Sequence, residues 1–456
     1  MKLFLLMSVF LLIPFATRAT ELPSLSAKLA LEDYLEKAKV HDPQMQSIIA
    51  DRLKMKYLTD LNLPSRQILL SVQNEYGFTR DEEPSSVLSA TISKPLLETG
   101  TVISVGKTMT ERPDRTEDVT QMRVEQSLYR NAFGGQIRKR MDNLEIQKSM
   151  IELQVIEAYE DYTAESINRY LDLTLAYLNY QTSQRLKKES SLLLNNVQKK
   201  FKQNIASTTD LKRAKLQTAQ RAENELQSRA NMEALSSGIQ RVLGENKTGV
   251  LYPDTILNME ERLTNIDIDI ERFLLKSRSR LIYDKQEAVA AGNLKIIKDN
   301  LRPEANLLVG FNIDNSTRFS TAINREEAVI GVNIDIPFDH SVVEAQIKEA
   351  NYLLLKSKLD KKSFQDAIRE SLMVIRNRIL RQKELLKISK EKRDLAVEIV
   401  KEQTKRYQVG RITLESLIED RNTEAQFEFA YLSELTNLNK LIVQWLALTD
   451  QLVEKF

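Results

Sequence analysis

The chain has 456 residues, with 66 Lys plus Arg against 64 Asp plus Glu and a formal net charge of +2. That balance gives nucleic acid no electrostatic hold on the chain as a whole. The absence of cysteine excludes disulfides, thiolate metal sites and a lipid-modified N-terminal cysteine.

Residues 1–19 read as a secretory signal. Lys2 supplies a positive start, Leu3–Phe15 is apolar, and Thr17-Arg18-Ala19 closes it mostly on small residues. A run of thirteen residues is too short to span a bilayer, and no later apolar run is long enough for a membrane helix. A bilayer could therefore be crossed only by strands.

Leu25–Val40 is amphipathic, with Leu29, Leu31, Leu35 and Ala38 among its apolar positions. Asp42-Pro43 predicts a helix cap followed by proline at the first helical position, and Pro64 stops the helix that follows. Next come segments of period two, predicting strands at about 68–78, 87–95, 101–109 and 119–129. Leu70, Val72, Tyr76 and Phe78 oppose Ser71, Gln73 and Glu75; Ile103 and Val105 oppose Ser104 and Gly106. Each is close to the length that a tilted strand needs to cross a bilayer.

A stretch without Gly or Pro runs from Gln136 to Ser237. It predicts long helices at about 136–201 and 208–243, the first a rod of roughly 100 Å. Ile137, Met141, Leu144, Ile151, Val155, Ala158 and Tyr162 mark a heptad-like seam, which Lys148 interrupts. The pattern lapses at Asn204–Thr209, where Ser207-Thr-Thr-Asp210 fits a capping box at a tight helix–helix turn.

The same order then returns. After a linker at 247–266, Ile268–Asn300 reads as helix. Strands are expected at about 305–314 and 328–336, and long helices at about 342–407 and 413–453, with Gly410 in the turn and Thr413 as its cap. Pro64 matches Pro303 at an offset of 239, whereas Phe201 matches Tyr407 and Ser207 matches Thr413 at 206. The first half is thus 33 residues longer (239 less 206), which fits an extra strand pair within about Ser86–Asp118. The expected organisation is one repeat at 20–246 and a second at 267–456, neither closing a core alone.

Catalytic patterns are missing. The two histidines, His41 and His340, sit where helices are capped or opened. No G-x-S-x-G occurs, no metal-ligand cluster stands out, and Gly100–Gly106 holds five residues between glycines where a phosphate loop requires four. No enzyme activity, cofactor or metal is expected.

Three motifs carry a resemblance. They are Tyr407-Gln-Val-Gly410-Arg-Ile-Thr-Leu-Glu-Ser-Leu-Ile-Glu419, its first-half counterpart Phe201-Lys-Gln-Asn204-Ile-Ala-Ser-Thr-Thr-Asp210-Leu, and the corner Asn131-Ala-Phe-Gly-Gly135. With the signal, the repeats and the order of strand pair then long helix, the sequence resembles the TolC family of outer-membrane efflux proteins over nearly the whole mature chain. The resemblance implies a mostly α fold with β-barrel strands, a duplicated TolC-like architecture of long antiparallel periplasmic helices, closing as a homotrimer. It implies an exit duct in the cell outer membrane, extending into the periplasm. The duct would serve a tripartite efflux or type I secretion system, meeting a periplasmic adaptor and, through it, an inner-membrane pump. Asn204, Asp210, Gly410, Arg411, Glu415 and Glu419 would lie at the periplasmic tip, as gate and adaptor contact. Asp210, Glu415 and Glu419 are candidates for rings of acid around the axis, or for helix N-terminal charges favoured by the dipole. Three departures stand out: Asn204 replaces the usual glycine of the first turn, Ser416 replaces an acid in the second, and the extra strand pair sets the four strands per protomer that the resemblance implies against six, which would give a wider barrel. The competing reading is a periplasmic coiled-coil scaffold or adaptor-like protein, which has no need of strands with an apolar outer face.

Overall fold

The computed structural model describes residues 27–79, 82–112, 115–244, 249–254, 258–263, 266–318, 321–322 and 324–455. The expected signal at 1–19 lies outside them.

The chain begins with β1 (Ala27–Leu29), α1 (Leu31–His41) and α2 (Pro43–Asn62). Asp42 caps α2 by accepting from the Gln44 N–H at 2.9 Å, with Pro43 in the first turn. The expected single helix over Leu25–Val40 is thus corrected: Ala27–Leu29 is extended because it pairs in parallel with a short strand much later in the chain, β6 (Leu251–Pro253). The segment read as a linker is correspondingly ordered at that strand.

Four strands follow: β2 (Leu69–Thr79), β3 (Glu82–Leu96), β4 (Thr101–Arg112) and β5 (Arg115–Ser127). The chain then turns sharply into α3 (Gly135–Lys202), which is 68 residues long, and returns through α4 (Thr208–Val242), of 35 residues. None of the seven seam residues of α3 is exposed. The helix expected over Ile268–Asn300 is two: α5 (Ile270–Leu274) and α6 (Arg278–Asp299). Ser277 breaks it, because its backbone is extended and its hydroxyl caps α6. Then come β7 (Glu304–Asp314), the two-residue strands β8 (Thr317–Arg318) and β9 (Thr321–Ala322), and β10 (Arg325–Asp335). α7 (Ser341–Gln408) again has 68 residues and α8 (Leu414–Leu448) again has 35; α9 (Leu452–Lys455) ends the described chain. Both helix pairs are related by an offset of 206, without insertion or deletion.

The long strands form one antiparallel sheet in the order β10-β7-β5-β4-β3-β2, and β5–β7 joins the two halves. One face carries Leu70, Ile92, Val105, Met122, Phe311 and Ala328 in a single cross-strand row. The opposite face carries Ser71, Thr91, Gly106, Gln121 and Asn312. Three hairpin tips lie at one end of the sheet; the turn at 97–100 and the helix connections lie at the other. At that second end Gly134 is held in the left-handed region (φ 75), where an added Cβ would fall 2.2 Å from the Glu98 carbonyl oxygen. No side chain fits that corner.

The main core lies midway along the helices. It includes Tyr34, Tyr170, Ile167, Leu372, Ile379, Ile442 and Trp445. Tyr170 donates to the Leu29 carbonyl at 2.8 Å and Tyr162 to the Asp42 carboxylate at 2.7 Å, so their buried hydroxyls are satisfied. Among the described residues no helix is long and apolar enough to cross a membrane.

Candidate functional site: the helix-turn tip

Far from the sheet, the α3–α4 and α7–α8 turns stand side by side, because α3 packs against α8. The two turns are built alike. Asn204 (φ 59) and Gly410 (φ 73) take the left-handed conformation. The Ile205 N–H donates to the Lys200 carbonyl at 2.9 Å and the Arg411 N–H to the Arg406 carbonyl at 2.9 Å. The Asn204 and Gly410 N–H groups donate to Phe201 and Tyr407 at 2.9 and 3.2 Å. This is the paired closure of a Schellman C-cap, which consumes helix-end carbonyls.

The returning helices differ in their caps. Ser207 accepts from the Asp210 N–H at 3.0 Å and the Asp210 carboxylate accepts from the Ser207 N–H at 3.0 Å, completing a capping box. Thr413 accepts from the Ser416 N–H at 3.2 Å, and Ser416 offers no carboxylate in return. Asp210 is therefore committed to its own helix start. Glu415 meets Arg213 at 2.6 Å, so it bridges the two turns. Arg411 and Glu419 are exposed, and the Glu419 carbonyl accepts from Thr423.

Sequence reasoning missed a second bridge. The Lys200 ammonium lies 4.2 Å from the centre of the Tyr407 ring and donates to the Tyr407 carbonyl at 3.3 Å. Burial and the nearby Asp210 charge push the Tyr407 phenol above its ordinary value, so it stays protonated. The basic run beside an aromatic was visible, but nothing local indicated that residues 207 positions apart would meet. Beneath the turns, Leu193, Val197, Ala214, Leu414 and Leu417 form a small core of their own.

One layer further in, polar links replace apolar ones. Asn422 accepts from Gln217 at 2.9 Å and from Arg221 at 2.8 Å. Arg185 approaches the buried Glu424 at 3.5 Å. Burial raises the Glu424 carboxyl above the usual carboxylate range, against the pull of Arg185. The turn region is basic: Lys199, Lys200, Lys202, Lys212, Arg213 and Lys215 surround the single acid Asp210 between positions 199 and 215.

A second ionic cluster lies near the main core. Glu157, Glu160 and Asp450 bring carboxylate oxygens within 4.8 Å of one another. Arg278 contacts Glu160 and lies 3.5 Å from Glu157 and 3.3 Å from Asp450. The guanidinium thus fills the place a cation would take. Glu160 also accepts from the Leu452 N–H at 2.9 Å, and Asp450 from the Arg278 N–H at 2.8 Å. The cluster ties the C-terminal segment to the start of α6.

No protein-family model matches the sequence, and no curated protein matches it. Solved structures do match. The channel CusC is similar with a TM-score of 0.71 at 9% identity, covering 93% of each chain. The outer-membrane protein VceC of Vibrio cholerae is similar with a TM-score of 0.70 at 12% identity, over 92% of this chain and 96% of that one. The open state of the MtrE outer-membrane channel of Neisseria gonorrhoeae gives 0.70 at 12% identity, over 92% and 89%. At these identities the likeness is one of fold, and the chain has the TolC-type fold over more than nine tenths of its length.

Proposed function

We propose that this protein is the outer-membrane exit duct of an export system, a passive conduit rather than an enzyme. The observation that carries the reading is the sheet. One face carries an apolar row across all six strands, broken on one side by the Lys107–Asp118 pair, and the other is mostly polar; among the described residues neither edge strand has an outer partner. A lone sheet with an apolar face and open edges is unstable in water and in lipid alike. Closed as a ring by further copies, it buries the edges, turns the apolar face to lipid and the polar face to a water-filled lumen.

The reading extends to a homotrimer, with the helices forming a tube through the periplasm. Its tip is held by Arg213–Glu415 and Lys200–Tyr407, and opens when those contacts part. A periplasmic adaptor engages the tip and links it to an inner-membrane pump of a tripartite efflux or type I secretion system. The basic collar of Lys199, Lys202, Lys212 and Lys215, all exposed, suits an acidic adaptor surface.

Fractionation of cells expressing the full chain tests the assignment. The duct is recovered with outer-membrane lipid and leaves it only in detergent, as a trimer. Recovery as a monomer in the soluble periplasm would favour the scaffold reading and exclude the duct.

A further inference from the structure

The extra strand pair of the first half, β3–β4, does not hang from the barrel. It lies inside the sheet, between β2 and β5, and pushes β2 out to the edge. We propose that the seam between copies is formed by β10 and α7 of one copy against β2 and α2 of the next. Three copies then close an eighteen-strand barrel. The proposal rests on the trimeric duct reading and adds to it the strand number, the edges and their register.

Four observations support it. First, the edges match: β2 and β10 are each 11 residues long and run in opposite directions, as antiparallel pairing requires. Second, the helices end in the same two places. Around the end nearest the sheet, α2 packs on α3, α3 on α6 and α6 on α7, so α2 and α7 flank the row. α2 runs into β2, and β10 runs into α7. α2 bears an unpartnered stripe at a spacing of four, Ile49, Leu53, Tyr57 and Leu61, which are 48%, 48%, 58% and 80% exposed. α7 bears Tyr352, Leu355 and Leu359, 61%, 57% and 57% exposed. A second copy of the chain covers both the stripes and the strand edges along one continuous line.

Third, the apolar band slants. The row from Leu70 to Ala328 lies at the lower end of the apolar run on β2 (Leu70 to Phe78) and near the upper end of that on β10 (Ala328 towards Ile336). From 74 to 332, the band centre moves from four residues above the row to four below. That is eight residues over five steps, about 1.6 per strand, and with a rise of ~3.3 Å and a spacing of ~4.8 Å it means a tilt of roughly 45°, as in closed barrels. Carrying the slant one strand further sets Val332 opposite Tyr76 of the next copy and Ile330 opposite Phe78. Aromatic and β-branched side chains then face each other, whereas a two-residue slip one way would oppose Asp335 to Glu75.

Fourth, the perimeters agree. Eighteen strands at that spacing and tilt give a diameter of roughly 39 Å, and twelve would give roughly 26 Å. Twelve helices, four from each copy, at 8–10 Å spacing give a tube of roughly 31–38 Å. With the extra hairpin the duct does not narrow as it enters the membrane.

The chain has no cysteine, which makes the test clean. Tyr76→Cys with Val332→Cys, and separately Phe78→Cys with Ile330→Cys, are introduced into the full chain and oxidised in outer membranes. The expected result is a thiol-sensitive ladder ending at the trimer on denaturing gels for both pairs. None is expected for either single variant or for the out-of-register pair Leu70→Cys with Ile330→Cys. A detergent-extracted trimer that cross-links through neither in-register pair would overturn the eighteen-strand closure and leave the duct reading standing. A soluble monomer would overturn both.

Discussion

Asn204 and Gly410 stand 206 residues apart and close the two tip turns with the same hydrogen bonds, at φ 59 and 73. Only glycine, and to a lesser degree asparagine, takes this conformation at low cost. Gly410→Ala is therefore expected to lower stability by about 1–2 kcal/mol, and Asn204→Ala by about 1 kcal/mol, whereas Asn204→Gly is neutral or stabilising. Thermal melts of the detergent-extracted protein, with limited proteolysis to report on the turn, check all three. Protease protection of the Asn204→Gly tip should match the parent.

Much of this fold is legible in the sequence because its signals are local. Heptad spacing, the capping box at Ser207 and Asp210, and period two in the strands all lie within a few residues of each other. The repeat offset predicted the extra strand pair, and the structure puts that pair at β3–β4. What escaped depends on distant partners. Ala27–Leu29 reads as the first turn of a helix and is extended only because Leu251–Pro253 lies beside it. The α5–α6 break hinges on Ser277, one polar residue in a helical pattern. At the tip, Asp210 and Glu415 both read in the sequence as acids in the first turn of a returning helix. One is spent on its own helix cap and the other on Arg213, a difference that appears only when the two hairpins are packed together.

The Arg213–Glu415 bridge is exposed, and such pairs contribute only about 0–1 kcal/mol. Its removal should leave the melting temperature nearly unchanged yet loosen the tip. Arg213→Ala is expected to raise single-channel conductance in planar bilayers. The double exchange Arg213→Glu with Glu415→Arg should return it towards the parent value. Equal conductance in all variants would mean that the bridge does not hold the tip closed.

Arg278 is a different case, because its partner Glu160 is buried. Removing the cation leaves a buried carboxylate without compensation, a loss of roughly 3–5 kcal/mol. Arg278→Met should lower the melting temperature strongly and expose the C-terminal segment, which Glu160 holds through the Leu452 N–H. Arg278→Met combined with Glu160→Gln should recover a large part of the loss, read in the same melts.

Glu424 gives a pH signature. Burial raises its folded-state value above the ordinary 4.5, so the folded protein holds this proton more tightly than the unfolded chain. The stabilising contribution is full below the unfolded value and is lost as pH rises through the folded one. Glu424→Gln carries no such dependence. The stability of the parent relative to this variant is therefore expected to fall as pH rises above 4.5, measured by melts at a series of pH values. A constant difference would mean that Arg185 offsets the burial.

The two faces of β4 offer the sharpest test of what surrounds the sheet. Val105 lies in the apolar row with Ile92 and Met122, and its neighbour Ser104 pairs with Ser93 and Arg123 on the polar face. If lipid covers the first face and water the second, Val105→Arg costs about 2–4 kcal/mol near the bilayer midplane, while Ser104→Arg costs little because its charge stays hydrated in the lumen. The heat resistance of the oligomer on denaturing gels is expected to drop for Val105→Arg and to hold for Ser104→Arg. The reverse order would place lipid on the polar face, which no barrel could tolerate.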